Sequence, residues 1–320
     1  MLRTVILLRI IILSAIAPIP SLAWAQSCAF GVSSMDFGPV DTLLTSQTNS
    51  TATISMNCTG TAGQRILICP NLGAGTGGAT SATARQMLSG ANTLNYQLYS
   101  DSARSVVWGS YAWAYASRPP ALALTPNTLG TATGTATIYG AAFGSQGTAP
   151  PGIYLSTFSG ADVEFRYRYS TGNDCGSGAG ILAPSPTFTV NATVATNCLV
   201  STQNIDFGST GTLSANVDAT GQVSVTCTPA AAYTVSLNGG TTGSPPTARK
   251  MSKGAETVTY GLYKDVNRTQ PWGDSSTPGS TVPGTGIGIA QNLTVYGRVP
   301  PQVTPSAGVY TDTVVVTVTY

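Results

Sequence analysis

Short segments in which apolar and polar residues alternate run through the chain, separated by stretches rich in Gly, Pro, Ser, Thr and Asn. A period of two residues is that of a β-strand with one buried face. No helical period of useful length interrupts this pattern. The chain is therefore predicted to be all-β, built from antiparallel β-sandwiches. The segment at 314–320 illustrates the pattern, since its apolar face carries Val314, Val316, Val318 and Tyr320.

One structural unit occurs twice along the 320 residues. Short segments of the first copy return in the same order in the second, which indicates a duplication. We expect an N-terminal domain at 26–184 and a C-terminal domain at 185–320, with Trp108 and Trp272 as equivalent core residues. The paired segments are 35–38 with 205–208, 94–101 with 258–265, 108–109 with 272–273, 136–140 with 293–297, and 151–154 with 307–310.

The second copy is predicted to be one strand short. A further alternating segment at 187–194 follows the closing strand of the first copy at 163–169, and it is expected to run alongside that strand and complete the first sandwich. The second copy is followed by no such segment, so its edge at 314–320 is predicted to accept a strand from another chain. The alternative is that this terminal strand packs back on its own sheet.

The N-terminus has the layout of a cleaved signal peptide. Arg3 and Arg9 flank an apolar run, and residues 23–25 form an Ala-x-Ala cleavage site, which predicts a signal peptide at 1–25. The run is too short and interrupted to favour a membrane anchor. Only Gln26 and Ser27 would then precede Cys28, so we expect no donor strand at this end.

Charge is sparse, at 8% of the residues, with 14 Lys and Arg against 12 Asp and Glu. Removal of the signal peptide would take away two arginines and make the two counts equal. No basic patch favours nucleic-acid binding. Contacts with a partner are therefore expected to be apolar or hydrogen-bonded.

Six cysteines in an exported chain predict three disulfide bonds. Two pairs have nearly equal spacing and open the two copies, while two cysteines have no counterpart in the repeat and would form the third bond. The expected pairs are Cys28 with Cys58, Cys198 with Cys227, and Cys69 with Cys175.

Enzymatic chemistry is disfavoured. The chain contains no histidine, which removes Ser-His-Asp and Cys-His arrangements and weakens a zinc site. Asp162 and Glu164 share a face of a predicted strand, but charges solvated beside Arg166 and Arg168 are the simpler interpretation. We expect no enzyme activity, no metal and no cofactor.

A set of motifs in the chain resembles the spore coat protein U domain, which is found in subunits of archaic, Csu-type chaperone–usher pili. The motifs are the cysteine spacing, the Asp-Phe-Gly turns, the Leu-Tyr and Trp-Gly blocks and the Val-Thr-Val-Thr-Tyr terminus. The resemblance implies two immunoglobulin-like domains, the second lacking its final strand, in a fimbrial tip adhesin. It also implies passage through the periplasm to the pilus tip at the cell surface. The partners it implies are a periplasmic chaperone, an outer-membrane usher and the donor strand of the next pilin.

The two copies differ most in the loop after their Trp-Gly pairs, which is longer and more aromatic in the first copy. Exposed apolar loop residues are costly unless they meet a partner. We expect them to attach the fibre to abiotic or host surfaces and to promote biofilm formation, unless they alternate as a core strand. The candidate surface-binding residues are Tyr111, Trp113, Tyr115, Leu122, Leu124 and Phe143.

Two other functions remain open for the same loops. Aromatic side chains also stack on sugar rings, which would make the chain a glycan-binding adhesin with weak polar candidates in Asp101, Arg118 and Asn127. A plain structural pilus or coat subunit is the other alternative.

Overall fold

The computed structural model describes residues 25–81, 84–111, 117–176 and 178–320. The predicted signal peptide at 1–25 lies outside these ranges except for Ala25. The strands of the first half are β1 (Ser27–Val32), β2 (Met35–Val40), β3 (Thr48–Thr59), β4 (Ile66–Leu72), β5 (Ala79–Ser81), β6 (Ala84–Ser89), β7 (Asn92–Tyr99), β8 (Leu122–Leu124), β9 (Thr131–Ala142), β10 (Gly152–Phe158), β11 (Val163–Tyr169), β12 (Ile181–Leu182) and β13 (Phe188–Val194).

The second half repeats this order with fewer strands among its described residues. A single turn of 3-10 helix, Gly160–Asp162, lies in the first half between β10 and β11. The strands of the second half are β14 (Cys198–Gln203), β15 (Val217–Cys227), β16 (Ala232–Leu237), β17 (Arg249–Lys253), β18 (Glu256–Tyr263), β19 (Val282–Thr285), β20 (Gln291–Val299) and β21 (Val316–Thr319).

The first half is an immunoglobulin-like sandwich of two sheets. One sheet has the order β1-β3-β9-β7-β6-β10-β13-β2, with β5 alongside β6, and the other has the order β12-β11-β4-β8. The alternate residues of these strands fill the space between the sheets, as the period of two requires. Trp108 is buried there, and its indole Nε1 donates to Pro70 O at 2.8 Å.

Strand β13 completes the first sandwich, but beside other strands than the sequence predicted. It lies antiparallel to β10 and parallel to β2, rather than alongside the closing strand β11. The chain changes sheets at Gly160–Asp162, so β10 and β11 are consecutive in sequence and belong to opposite sheets. The prediction that this segment pairs with 163–169 is therefore wrong, because alternation identifies a strand and its buried face but not its neighbours. Strand β13 belongs to the first sandwich although it lies beyond residue 184.

The second half is the same kind of sandwich with a shorter main sheet. Its sheets have the orders β14-β15-β20-β18-β17 and β19-β16-β21. Trp272 is buried at the position of Trp108, and its Nε1 donates to Val235 O at 3.2 Å. The expectation that the two tryptophans are equivalent core residues is confirmed.

All three expected disulfide bonds are present: Cys28–Cys58, Cys69–Cys175 and Cys198–Cys227. The first and third join residues that lie directly opposite each other on paired strands. The second joins β4 to the segment that follows β11, and it buries both cysteines beside Leu67.

We expect the loss of Cys69–Cys175 to destabilise the first domain more than the loss of Cys28–Cys58. The two bonds close 106 and 30 residues respectively, and a longer loop restricts the unfolded chain more. Paired alanine substitutions of Cys69 and Cys175 should lower the free energy of unfolding by about 2–4 kcal/mol.

Urea unfolding of this double variant and of the matched Cys28→Ala, Cys58→Ala variant measures the difference. The chain-entropy relation predicts that the free energies of unfolding of the two double variants differ by about 1 kcal/mol. A smaller loss for Cys69–Cys175 than for Cys28–Cys58 would contradict the entropic account.

Three residues connect the sandwiches, and the junction is held by direct contacts. Asn197 Nδ2 donates to Asp41 Oδ2 at 2.7 Å, and the Tyr320 hydroxyl donates to Asn197 Oδ1 at 3.2 Å. A Cβ added to Gly147 would lie 2.4 Å from Gly288 O, so two backbone loops touch where only glycine fits. These contacts place the loop after β9 at the end of the first sandwich that faces the second.

Candidate functional site

The main sheet of the second sandwich stops where the first one continues. In the first sandwich β6 is followed across the sheet by β10, β13 and β2. In the described second half, the position of β10 is represented only by a bridge between Ser252 and Thr311, with Ser252 N donating at 2.9 Å and Thr311 N at 3.2 Å. Residues 205–208, which repeat the sequence at the start of β2, follow β14 without joining a ladder. Strand β13, which lies between the corresponding segments of the first sandwich, has no counterpart among the described residues of the second.

Buried contacts fix which residues are equivalent in the two sandwiches. Arg85 Nη2 donates to Leu72 O at 2.9 Å, and Arg249 Nη2 donates to Leu237 O at 3.1 Å. Strand β11 pairs Val163 with Leu72, and β21 pairs Val316 with Leu237. Residues 163, 165 and 167 therefore correspond to 316, 318 and 320.

Residues that are buried in the first sandwich are partly exposed at the same positions in the second. Several of these positions lie on the walls that β13 covers or on the closing strand. The pairs are Met35 with Ile205, Phe37 with Phe207, Tyr154 with Tyr310, Phe158 with Val314, Val163 with Val316, and Phe165 with Val318.

Of the second-sandwich members of these pairs, all except Val318 line an open groove of about 720 Å³. Apolar and polar side chains share its walls. Its floor is the second core, to which Val314, Val316 and Val318 also contribute. Apolar surface held open in this way is favourable to cover. The principal lining residues are Ile205, Phe207, Met251, Tyr260, Tyr310 and Val316.

A polar pair lies at the lining of the groove. The Tyr260 hydroxyl donates to Asp312 Oδ2 at 2.6 Å, and Thr241 N donates to Asp312 Oδ1 at 2.8 Å. Burial raises the pKa of Tyr260, and the hydrogen bond to the carboxylate raises it further. Burial would raise the pKa of Asp312 as well, but the hydrogen bonds from Tyr260, Thr241 and Thr313 outweigh it and lower the pKa. This carboxylate therefore stays ionised and fastens the loop at 238–241 to the groove wall.

A second carboxylate lies at the rim of the groove. Asp206 is exposed, lines the groove, and accepts a hydrogen bond from Gly208 N at 2.8 Å. Gly208 has φ +71°, a left-handed conformation that glycine adopts without strain. In the first sandwich, Asp36 makes the same turn with Gly38.

The predicted acceptor residues lie along one side of this region. Strand β21 pairs with β16 on one edge, and its other edge has no neighbouring strand among the described residues. Val314, Val316 and Val318 are partly buried against the second core. Tyr320 is 56% exposed. By analogy with β13, however, an incoming strand would lie between 308–314 and 205–208 rather than beside β21.

The predicted surface-binding residues are not gathered at one tip in the described chain. Leu122 and Leu124 lie on β8, which pairs with β4, and both pack partly against the first core. Leu124 lies beside Gly134 of β9, whereas Phe143 follows the other end of that strand, roughly 30 Å away at about 3.3 Å per residue. Phe143 is thus at the end that faces the second sandwich.

Tyr111 is held in place by the fold. Its hydroxyl donates to Glu164 O at 3.0 Å, and its backbone N–H donates to Asn71 Oδ1 at 2.9 Å. Burial raises the pKa of its hydroxyl. Trp113 and Tyr115 lie outside the described residues, so their role remains a prediction.

The polar residues considered for sugar binding or catalysis are mostly engaged in local structure. Asp101 accepts from Ser105 N and Val106 N, and Asn127 Oδ1 accepts from Leu129 N, so both stabilise turns. Glu164 lies 3.5 Å from the Arg166 guanidinium. The described residues contain no cluster of three or more His, Cys, Asp or Glu side chains that could hold a metal ion.

Two buried arginines are important residues that sequence reasoning missed. Arg85 and Arg249 are both fully buried, and each binds backbone carbonyls around the base of its sandwich. The signal was present in the repeat, where Ala84-Arg85-Gln86-Met87 matches Ala248-Arg249-Lys250-Met251.

The chain belongs to the Spore Coat Protein U domain family, whose pattern it matches over residues 18–160 and again over 185–317. It is 37% identical to Protein U of Myxococcus xanthus over 109 residues, which cover 32% of this chain and 59% of that protein. The chain therefore spans less than two thirds of this relative.

One solved structure supports the fold. The tip adhesion subunit in the CsuC–CsuE chaperone complex of Acinetobacter baumannii Csu pili matches with a TM-score of 0.52 and 17% identity, covering 92% of this chain and 100% of that one. The CupB6 tip adhesin of Pseudomonas aeruginosa has a TM-score of 0.40 and 13% identity, over 91% of this chain and 93% of that one. Among the described residues, no helix is long and apolar enough to cross a membrane.

Proposed function

We propose that this protein is the tip adhesin of a chaperone–usher pilus, and that the groove of its second sandwich accepts a donor strand from the neighbouring pilin. The observation that carries the proposal is internal. The first sandwich places its own strand β13 between β10 and β2, and the second keeps the matching walls partly exposed. A strand added from another chain would supply both the missing backbone hydrogen bonds and the alternate side chains that fill the groove.

The same groove explains the need for a chaperone before assembly. Its apolar lining would promote aggregation of the free subunit during export. A periplasmic chaperone would cover the groove until the subunit reaches the outer-membrane usher, where the donor strand replaces it. The similar solved structure from Acinetobacter is described as a chaperone complex of a tip subunit awaiting assembly, which agrees with this order of events.

The first sandwich is complete and would be the surface-binding end. Since β13 already fills its groove, this domain has no need of a donor strand. Attachment to abiotic or host surfaces would come from its apolar loop residues and would promote biofilm formation. Trp113 and Tyr115 are the strongest candidates, because Tyr111, Leu122 and Leu124 have structural contacts in the fold.

Replacing Trp113 and Tyr115 with serine is expected to reduce attachment of piliated cells to polystyrene at least tenfold. Burial of a large apolar side chain contributes roughly 1.5–3 kcal/mol, and many fibres per cell multiply the effect. The measurement is the number of attached cells at equal pilus density.

The matched control is Val303→Ser, which removes a side chain that is 93% exposed on the second sandwich. Its attachment should equal that of the unchanged protein. Normal attachment of the Trp113, Tyr115 variant would refute the assignment, and inhibition by a soluble sugar would transfer it to glycan binding.

A further inference from the structure

The strand that fills the first groove makes polar contacts as well as apolar ones. Its inward side chains are the apolar Phe188, Val190, Ala192 and Val194, all buried. Outward-facing Asn191 pairs in parallel register with Asp36, and its Nδ2 donates to Asp36 Oδ1 at 2.9 Å. This carboxylate is the one that closes the turn with Gly38.

The second groove retains the acidic half of this contact. Asp206 occupies the position of Asp36 and makes the same turn with Gly208. It is exposed at the rim of the groove, where the missing strand would pass. On the opposite wall, Thr311 occupies the position of Leu155, which is the residue of β10 that pairs with Asn191.

On the basis of the proposed function, we propose that Asp206 selects the donor strand by binding an amide side chain on its outward face. The donor would lie antiparallel to 308–314 and parallel to 205–208, as β13 does between β10 and β2. Four alternate apolar residues fill the groove, and an Asn or Gln takes the position of Asn191 between the second and third of them. A carboxylate at this position would face Asp206 and be repelled.

The preference has a simple physical origin. A hydrogen bond to a charged acceptor is stronger than one between neutral groups, and partial exposure of the pair weakens it. The apolar residues would therefore supply most of the affinity, and the amide would discriminate between donor strands that share the apolar pattern.

The test uses peptides with the sequence of residues 185–196, which contain the strand that fills the first groove. Binding to the mature full-length chain is measured by the peptide-dependent rise in its unfolding temperature. Replacing the residue equivalent to Asn191 with Ala should weaken binding about five- to tenfold, and replacing it with Asp should weaken it more than tenfold.

Two controls separate this contact from general effects. Thr193→Asp adds the same charge at an exposed outward position that faces Pro39 in the first sandwich, and it should change binding less than Asn191→Asp. Asp206→Asn in the protein keeps an oxygen for Gly208 N and should abolish the penalty for the Asp peptide.

The outcomes distinguish the two proposals. Equal binding of the Asn, Ala and Asp peptides would overturn the role of Asp206 and leave the acceptor groove intact. Failure of every peptide to stabilise the chain would count against the acceptor groove itself. A penalty that persists in Asp206→Asn would assign the discrimination to another residue.

Discussion

A chain extended after Tyr320 by a copy of residues 168–194 is expected to have a second sandwich that is complete and markedly more stable. Tyr320 corresponds to Tyr167, so the added segment would continue from the end of β21 and return between the groove walls, as the same residues do in the first sandwich. The copy carries Cys175→Ser to avoid a new thiol.

The expected gain follows from the side chains that enter the groove. The equivalents of Phe188, Val190 and Val194 would each contribute roughly 1.5–3 kcal/mol on burial. Closure of the connecting loop opposes this gain. We expect a net increase of about 4 kcal/mol in the free energy of unfolding of the second sandwich, measured by urea denaturation.

The matched control carries the same extension with Asp at the equivalents of Phe188 and Val190. This version has the same length and loop but cannot fill the groove, so its midpoint should equal that of the unextended chain. If the intact and control extensions unfold at the same urea concentration, the second sandwich is not missing a strand at this position.

The elements of the fold were largely predictable from the sequence, whereas their neighbours were not. Alternation revealed the strand at 187–194 and its buried face, and comparison of the two copies led to the expectation that the second lacks one. It did not reveal that the strand enters the main sheet beside β10 and β2. That choice depends on the crossing at Gly160–Asp162, and a turn between sheets has no hydrophobic period of its own.

The sequence predicted an acceptor site in the second domain, but not all of the residues that form it. An open edge in the second domain was expected along 314–320, and Val314, Val316 and Val318 do contribute to the core beneath the groove. Asp206, Tyr260 and Asp312 were not recognised as neighbours, because residues far apart in sequence are brought together only by the folded sheets. The separation of Leu124, which lies beside Gly134 of β9, from Phe143, which follows the far end of β9, has the same cause.

Replacing Arg249 with Met is expected to destabilise the second sandwich by roughly 4 kcal/mol, because it leaves buried carbonyl groups without their donor. Arg249 is fully buried and donates to Asn238 O, Pro246 O, Leu237 O and Trp272 O at 2.6–3.1 Å. Burial lowers the pKa of its guanidinium, but arginine keeps its charge in proteins.

Methionine approximates the length of the side chain but offers no hydrogen-bond donor, so the loss measures the carbonyl contacts rather than a large cavity. Lys at this position has one ammonium in place of a planar fork and should recover only part of the stability. Lys250→Met is the matched control, since Lys250 is the exposed neighbour on β17. Its free energy of unfolding should change by less than about 0.5 kcal/mol.

The duplication supplies a second test of the same argument. Arg85 donates to Gly73 O, Leu72 O and Trp108 O at 2.8–3.0 Å and also binds Gln97 Oε1. Arg85→Met should therefore destabilise the first sandwich by a similar amount, measured by urea denaturation. Because the carbonyls of Leu237 and Trp272 repeat those of Leu72 and Trp108, a large loss in one sandwich with a negligible loss in the other would show that the carbonyl contacts are not what the arginine contributes.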